Sequence, residues 1–457
     1  MFALLQDELV ITESAIVALA GFTAVIALLF LFITKFKWHV FLALLVPIIL
    51  FPLLPGVNLS DFIEAFEVGF GSTIQSIAVV IVLGSIIAEV IRHTGGVQRI
   101  TLSMVSLVGR QRMPLALTFT GFILGIAIFS DVGYVILNPL VHSAAFAAGT
   151  NMSVMATGLV VSMQLTHALV PPTPGPLAAV AIVDADIGRV ILWGTVVTFF
   201  GSMAGWLFAR IVGPGIESPP SEEFVSDSLL DGDESEMPST FWAYAPIMIP
   251  LVLIASQSFS SLLLPEDNIV NSVLTYLGWP VIALFIGVLF AYRSVSTDEG
   301  REARTGTWVE EALRTSAMII IVTGLGGALS EILSGTPAVD TIANAVAAAG
   351  IPAIFLPFVL GVVGNMITGS TTVGVITAAS LTAPLMGDLN LSPEAVVLAG
   401  ASGSVIVKYV NSSYFWICTT LSRMPLRSAL IMYGGGTLVG GIVCMVVVYI
   451  LWALGLI

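Results

Sequence analysis

Long apolar runs separated by short polar stretches make up most of the chain. With about 20 apolar residues as the length that crosses a bilayer, the pattern predicts ten spans, at 14–34, 38–54, 72–91, 153–183, 190–210, 241–263, 273–292, 316–333, 391–420 and 428–456. The runs are long and continuous rather than short and alternating, which excludes an outer-membrane barrel. The pattern therefore predicts an all-α polytopic membrane protein.

Two further apolar stretches, 114–148 and 352–386, hold glycine, proline and polar residues near their middle. This pattern is more typical of re-entrant helical hairpins than of straight spans. Two of the spans, 153–183 and 391–420, also contain a polar or proline-rich break. We therefore predict two re-entrant hairpins and two interrupted transmembrane helices.

Composition agrees with a protein that lies in lipid. The chain is 57% hydrophobic and only 10% charged, and its mean hydropathy is +1.03. Soluble domains carry about 25% charged residues, so a globule surrounded by water is excluded. Lipid is therefore an expected partner, and nucleic acid is not.

The basic residues predict an orientation in the membrane. Arg189 falls on one side of the predicted spans, Lys408 falls within a span, and the other 13 of the 15 basic residues fall on the opposite side. Because basic residues favour the cytoplasmic side, we predict an inner-membrane protein with both termini outside. Segment 213–240 is then a cytoplasmic linker that is acidic, contains no basic residue and is disordered in character.

This linker divides the chain into two halves, 1–212 and 241–457, that resemble each other. Residues 84–100 align without gaps to 326–342, and Glu89 meets Glu331. A predicted hairpin and then an interrupted span follow in both halves. Because the two copies enter the membrane from opposite sides in the predicted topology, the sequence predicts an inverted repeat.

The first hairpin places a carboxylate, Asp131, in the middle of a membrane segment. A charge at a helix centre costs about 2.5–3.5 kcal/mol on insertion scales. Burial favours the neutral carboxyl, so Asp131 is a candidate proton-coupling residue. An aspartate that caps a helix at the hairpin tip is the alternative interpretation, and the sequence leaves both open.

The first interrupted span contains four prolines within six positions, from Pro171 to Pro176. Proline lacks an N–H and clashes with the preceding turn, so the helix must unwind here. Unwound backbone at membrane depth is tolerated where it lines a protein-enclosed site. His167 precedes this break. A histidine at this position is at least as consistent with a packing role as with a role as a ligand.

The second hairpin contains a glycine- and hydroxyl-rich motif from Gly369 to Gly374. Its hydroxyl and N–H groups suit carboxylate oxygens, and its oxygens suit sodium equally well. In the second interrupted span, Lys408 precedes Asn411 and Ser412. Three interpretations of Lys408 stay open: the side chain extends to an interface, pairs with Asp131, or attracts an anionic substrate.

Several motifs of other protein classes are absent from the sequence. It contains no G-x-x-x-x-G-K-[ST] loop, which argues against drive by ATP, and no H-E-x-x-H or G-x-S-x-G hydrolase motif. Four histidines and two separated cysteines form no metal-binding pattern. We therefore predict no enzyme activity, no cofactor and no metal site.

Four segments resemble the gluconate permease family, within the wider ion transporter superfamily, and the resemblance runs from about Val40 to the C-terminus. These segments are 129–135, 167–176, 369–373, and Val410-Asn411 with Phe415-Trp416. The resemblance implies proton-coupled uptake of sugar acids such as gluconate, with some members carrying other hydroxy or amino acids. The sequence departs from the family pattern at Thr173 and Tyr409, where histidine is expected, and at Ser412, where aspartate is expected.

The sequence thus predicts a secondary transporter that couples protons to the symport of a small organic-acid anion. A sodium-coupled carboxylate symporter is the second interpretation and an anion channel the third, and a homo-oligomer stays open. The predicted substrate-binding residues are Asp131, Gly133, His167, Pro171, Thr173, Gly175, Gly369, Ser370, Thr371, Thr372, Lys408, Asn411 and Ser412.

Overall fold

A computed structural model describes residues 12, 14–222, 237–265, 268–295, 298–334, 336–337, 350–406, 408–409 and 412–457. The elements of the first half are α1 (Ala15–Thr34), α2 (Val40–Leu50), α3 (Leu59–His93), α4 (Gly96–Val108), α5 (Met113–Leu124), α6 (Ser130–Ala147), α7 (Met152–Leu169), α8 (Pro174–Val183) and α9 (Ile187–Val212).

The second half has helices α10 (Thr240–Leu263), α11 (Ile269–Gly278), α12 (Pro280–Arg293), α13 (Asp298–Ala303), α14 (Thr307–Ser334), α15 (Phe355–Thr368), α16 (Thr371–Thr382), α17 (Pro393–Ser404), α18 (Ser413–Leu421), α19 (Leu426–Ala429) and α20 (Gly435–Ala453). Six helical spans in the described part of the chain are long and apolar enough to cross a membrane, and a bent pair makes a seventh. The prediction of an all-α polytopic membrane protein is confirmed.

The same order of elements occurs in both halves. Among the described residues, a long helix, α3 or α14, is followed by shorter helices that end with the pair α5 and α6 or the pair α15 and α16, then by an interrupted helix and a final long helix. Contacts between the halves follow a matching pattern, because α8 packs on α16 and α18 packs on α6. These contacts place both interrupted helices at the interface between the halves. The inversion of one half relative to the other stays a prediction.

The two matching long helices, α3 and α14, cross at a pair of glycines. A Cβ atom added to Gly327 would lie 2.6 Å from the carbonyl oxygen of Gly69, so the backbones are in direct contact there. At one end of this crossing Arg92 of α3 donates to the carboxylate of Glu311 of α14 at 3.0 Å. A substitution with any larger side chain at Gly69 or Gly327 would therefore push the halves apart.

The G-x-x-x-G spacings of the sequence predict close helix packing, and the structure confirms it. A Cβ at Gly121 would lie 2.5 Å from the carbonyl oxygen of Leu159, which places α5 directly against α7. A Cβ at Gly201 would lie 3.1 Å from the carbonyl oxygen of Gly440, which does the same for α9 and α20.

Three of the predicted spans differ clearly from the observed helices. Helix α14 begins at Thr307, before the predicted start at 316. Helix α3 begins at Leu59, before the predicted start at 72, and its first three turns contain the acidic residues that hid this extension. The predicted span 273–292 is two helices bent by 65° at Trp279. Proline at 280 disfavours helical torsions in the residue before it, and Trp279 has an extended ψ of 124°.

The two segments predicted as hairpins also differ from each other. Helices α15 and α16 pack closely together, because a Cβ at Gly364 would lie 3.0 Å from the Cα of Gly374. Helices α5 and α6, by contrast, each pack on α7. Segment 114–148 is therefore a helix pair opened around α7.

The first part of the predicted linker is attached to the membrane domain. Ser218 is fully buried, and its carbonyl oxygen and hydroxyl accept from the N–H groups of Met152 and Ser153, each at 2.8 Å. Residues 223–236 lie outside the described residues. Any deletion that tests the linker should therefore begin after Glu222.

We expect this linker to face the cytoplasm. A Ser226→Cys variant should then resist an impermeant thiol reagent added outside intact cells and react after the cells are opened. The native Cys418 and Cys444 are both fully buried, so the unsubstituted protein provides the unlabelled baseline. Rapid labelling from outside would contradict the predicted orientation of the whole chain.

Candidate functional site

Three helix N-termini meet around a cavity of about 420 Å³ that is lined by residues of both halves. They are the first turns of α6, α16 and α18. Each of these helices begins directly after a non-helical residue, which is Phe129, Ser370 or Ser412. The cavity is lined by Phe129, Ser130, Asp131, Gln164, His167, Thr368, Gly369, Ser370, Thr371, Thr372, Lys408, Ser412 and Tyr414. Because helix N-termini carry partial positive charge and unpaired N–H groups, their meeting favours an anion.

Lys408 supplies a full positive charge to this cavity. Its side chain is only 2% exposed, so it does not extend to an interface. The ammonium donates to Oδ1 of Asn365 at 2.6 Å and to the carbonyl oxygen of Gly369 at 3.4 Å. These bonds hold the charge at the turn between α15 and α16.

Asp131 lies in the first turn of α6 and also lines the cavity. Its Oδ1 accepts from the N–H of Val132 at 2.9 Å, so the carboxylate interacts with its own helix N-terminus as well as with the cavity. Both roles expected from the sequence are therefore compatible with its position. Asp131 and Lys408 do not form an ion pair in this structure, since the Lys408 ammonium donates to Asn365 instead. Of the three interpretations of Lys408 that the sequence left open, attraction of an anionic substrate is the one that this position supports.

Hydroxyl groups form hydrogen bonds at the N-terminus of α16. Ser370 is its N-cap and accepts from the N–H of Val373 at 3.3 Å. Gln164 of α7 donates to the hydroxyl of Thr371 at 2.8 Å, which links the two halves inside the cavity wall. The N–H groups of Thr371 and Thr372 occupy the first two helical positions and have no partner within the helix.

A second and much smaller cavity, of about 10 Å³, lies beside the first. Thr173 lines it, together with Ser85 of α3 and Pro172 of the proline-rich break. The hydroxyl of Thr173 donates to the carbonyl oxygen of Val170 at 2.7 Å. The break therefore satisfies part of its own freed backbone.

The predicted site residues are thus distributed over several places. Eight of the thirteen line the large cavity: Asp131, His167, Gly369, Ser370, Thr371, Thr372, Lys408 and Ser412. Gly133 packs against Met163, Gly175 packs against Thr372, Pro171 is buried, and Thr173 lines the small cavity. Asn411 lies outside the described residues.

The cavity also contains five residues that the sequence did not identify as candidates: Phe129, Ser130, Gln164, Thr368 and Tyr414. Gln164 had a usable signal, since it is an amide in an apolar helix about one turn before His167. Tyr414 had none, because its hydroxyl donates to the carbonyl oxygen of Val160 at 3.0 Å in the other half.

The proline-rich break shapes the cavity indirectly. It starts α8 at Pro174, and Gly175 then contacts Thr372 of α16. We expect replacement of Pro171, Pro172 and Pro174 together by Ala to extend α7 and displace this contact. Binding should fall at least tenfold while the protein still reaches the membrane, as measured by ligand-protected thermal unfolding. Full uptake by the triple variant would mean that the proline-rich break is only a kink in the helix and does not contribute to binding.

A central cavity reached by interrupted helices, in a protein made of membrane-spanning helices, is the arrangement of a membrane transporter. The profile of the GntP family permeases matches residues 16–455. This chain therefore belongs to the GntP permease family. It is an integral, multi-pass inner-membrane protein, and it is a solute transporter and not an enzyme.

Known relatives include transporters of more than one solute. A high-affinity gluconate transporter of Escherichia coli (strain K12) is 31% identical over 394 residues, which cover 86% of this chain and 89% of that protein. The D-serine transporter DsdX of the same organism is 29% identical over 434 residues, covering 93% of this chain and 96% of that protein.

A solved structure shares the fold. The Alcanivorax borkumensis YdaH transporter superimposes with a TM-score of 0.55 at 16% sequence identity, covering 87% of this chain and 90% of that chain. At this identity the likeness shows the architecture alone.

Proposed function

We propose that this protein is a proton-coupled symporter for a small hydroxylated organic-acid anion, gluconate or a related sugar or hydroxy acid. The observation that carries the proposal is the cavity in which Lys408, Asp131 and three helix N-termini meet. It places a buried cation, a carboxylate and helix N-termini around one cavity.

The positive side of the cavity suits a carboxylate. Lys408 and the first N–H groups of α16 lie at the same turn, so one carboxylate can bind both the ammonium and the helix N-terminus. Charge-assisted bonds of this kind are stronger than neutral ones. A carboxylate bound there would leave the rest of the solute directed into the cavity.

The remaining wall suits hydroxyl groups. The cavity lining includes the hydroxyl-bearing residues Ser130, Thr368, Thr372 and Ser412 and the amide-bearing residue Gln164. Its volume of about 420 Å³ falls within the range of about 300–1,000 Å³ typical of small-molecule sites. Gluconate and D-serine, the solutes in the names of the two relatives, both combine a carboxylate with at least one hydroxyl.

Asp131 is the proposed proton site. It is the one acidic residue among those that line the cavity, and an ionised carboxylate there would repel a bound anion. Protonation removes this repulsion, so proton binding and anion binding favour each other. Ser412 and Tyr409, at positions where the family pattern has titratable residues, leave Asp131 and His167 to fill this role.

A panel of radiolabelled organic acids in proteoliposomes tests the proposal. Uptake is measured with an imposed pH gradient, with a sodium gradient and with neither, and counterflow is measured beside it. We expect the pH gradient to drive accumulation of at least one hydroxy acid. Accumulation that follows sodium instead would support sodium coupling at Ser370–Thr372, and flux without counterflow would indicate a channel.

A further inference from the structure

The residues that line the small cavity beside the main one suggest that it is part of a path for the solute. Its walls come from α3, from the turn before α6 and from the break between α7 and α8, and they include the hydroxyl-bearing residues Ser85 and Thr173. About 10–15 Å³ is the least that holds one water molecule, so at about 10 Å³ this space is closed to any organic solute.

Two aromatic side chains separate the small cavity from the large one. Phe129 and His167 line both cavities, and no other residue in the described part of the chain lines both. Their ring centroids are 5.5 Å apart and the rings are tilted by 50°. The pair therefore forms the partition between a space of about 420 Å³ and one of about 10 Å³.

Both residues lie beside a non-helical break, one directly before α6 and the other at the end of α7. Phe129 is the residue before α6, with an extended ψ of 131°, and His167 lies in the last turn of α7, next to the proline-rich break. A torsion change at either break would move one ring relative to the other. Breaks in transport helices are places where backbone torsions can change without loss of a regular helical turn.

The histidine also has an unused polar atom. Nδ1 of His167 is buried and has no hydrogen-bond partner among the described residues. Buried polar atoms are nearly always paired in a resting structure. A hydroxyl or carboxylate oxygen of a solute that passes between the two cavities would supply the missing partner.

We propose that Phe129 and His167 form a gate in the substrate path, and that the small cavity is the closed part of that path on the far side of the gate. This inference rests on the proposed function, with a small hydroxylated organic anion as the solute. Phe129 closes the path by its volume, and His167 offers Nδ1 to the passing anion. The small cavity must widen before the solute enters it.

Cysteine accessibility tests the gate. Thr368→Cys reports on the large cavity and Thr173→Cys reports on the small one. An impermeant thiol reagent is applied to the side of the membrane from which Thr368→Cys reacts. We expect Thr173→Cys to react at least tenfold more slowly than Thr368→Cys. Addition of Phe129→Ala should raise the rate at Thr173→Cys at least tenfold from that same side.

A matched control separates the gate from general loosening. Phe122→Ala removes the same ring from the apolar groove between α5 and α10, and it should leave the rate at Thr173→Cys unchanged. Phe129→Leu, with an intermediate volume, should give an intermediate rate and covers the case in which Phe129→Ala does not fold. An unchanged rate in both Phe129 variants, or an equal rise with Phe122→Ala, would overturn the gate.

The labelling uses no substrate, so it reports on the gate even if the panel of organic acids gives no uptake. Where the panel identifies a solute, Phe129→Ala should lower its pH-driven accumulation at least fivefold while counterflow continues, because a leaking gate dissipates the gradient. Accumulation equal to that of the unsubstituted protein would contradict a gating role for Phe129.

Discussion

Replacement of Asp131 by Asn is expected to abolish proton-driven accumulation while it preserves substrate exchange. Asn keeps the size of the side chain but cannot ionise, so it resembles the protonated state that tolerates a bound anion. Asp131 lines the large cavity beside the N-terminus of α6. Without ionisation, anion binding and proton binding no longer depend on each other.

The measurement is uptake into proteoliposomes with an imposed pH gradient, beside counterflow with none. The internal solute concentration should no longer exceed the external one, and counterflow should stay within about twofold of the unsubstituted protein. Asp184→Asn is the matched control, since Asp184 is an exposed acid at the end of α8, and it should accumulate substrate normally. If Asp131→Asn still concentrates substrate in response to the pH gradient, the proton binds elsewhere.

A second large effect is expected at Lys408. Methionine in Lys408→Met replaces the methylene chain of lysine with an unbranched apolar chain. The substitution removes the ammonium that lies at the turn between α15 and α16. A hydrogen bond to a charged group contributes about 1.5–3 kcal/mol. At 1.4 kcal/mol for each factor of ten, substrate affinity should fall by about 10- to 100-fold.

The substrate concentration that gives half-maximal counterflow measures this affinity. Counterflow requires no proton gradient, so a change in proton coupling does not enter the measurement. The change should appear in the half-saturating concentration more than in the maximal rate. Arg427→Gln removes one positive charge from an exposed position and should leave both values unchanged. Lys408 also anchors Asn365, so thermal unfolding of Lys408→Met is measured in parallel. An unaltered half-saturating concentration in a folded Lys408→Met protein would exclude this lysine from the anion site.

The two variants together distinguish coupling from binding. Asp131→Asn is expected to change accumulation and not affinity, whereas Lys408→Met is expected to change affinity first. The reverse result for either residue would mean that the charges of the cavity have been assigned to the wrong roles. This separation is possible because Asp131 and Lys408 do not pair with each other in the structure, so each can be removed without leaving the other as an unpaired partner.

The sequence by itself determined the class of fold and where the helices are interrupted, because both depend on local chemistry. An apolar run long enough to cross lipid must be helical, and four prolines near Pro171 prevent a helix wherever they occur. The same local logic identified the acidic motif at Asp131 and the hydroxyl motif at Ser370–Thr372, and all of these residues except the prolines line the cavity.

Only the tertiary structure decided which of these residues meet and what holds them. Lys408 binds Asn365, 43 positions away, rather than Asp131, and Tyr414 binds a carbonyl oxygen of the other half. The separation of the cavity from its small neighbour depends on Phe129 and His167, which belong to different helices. Such contacts follow from how α6, α7, α16 and α18 pack, and a packing distance between distant segments leaves no periodic signal in the chain.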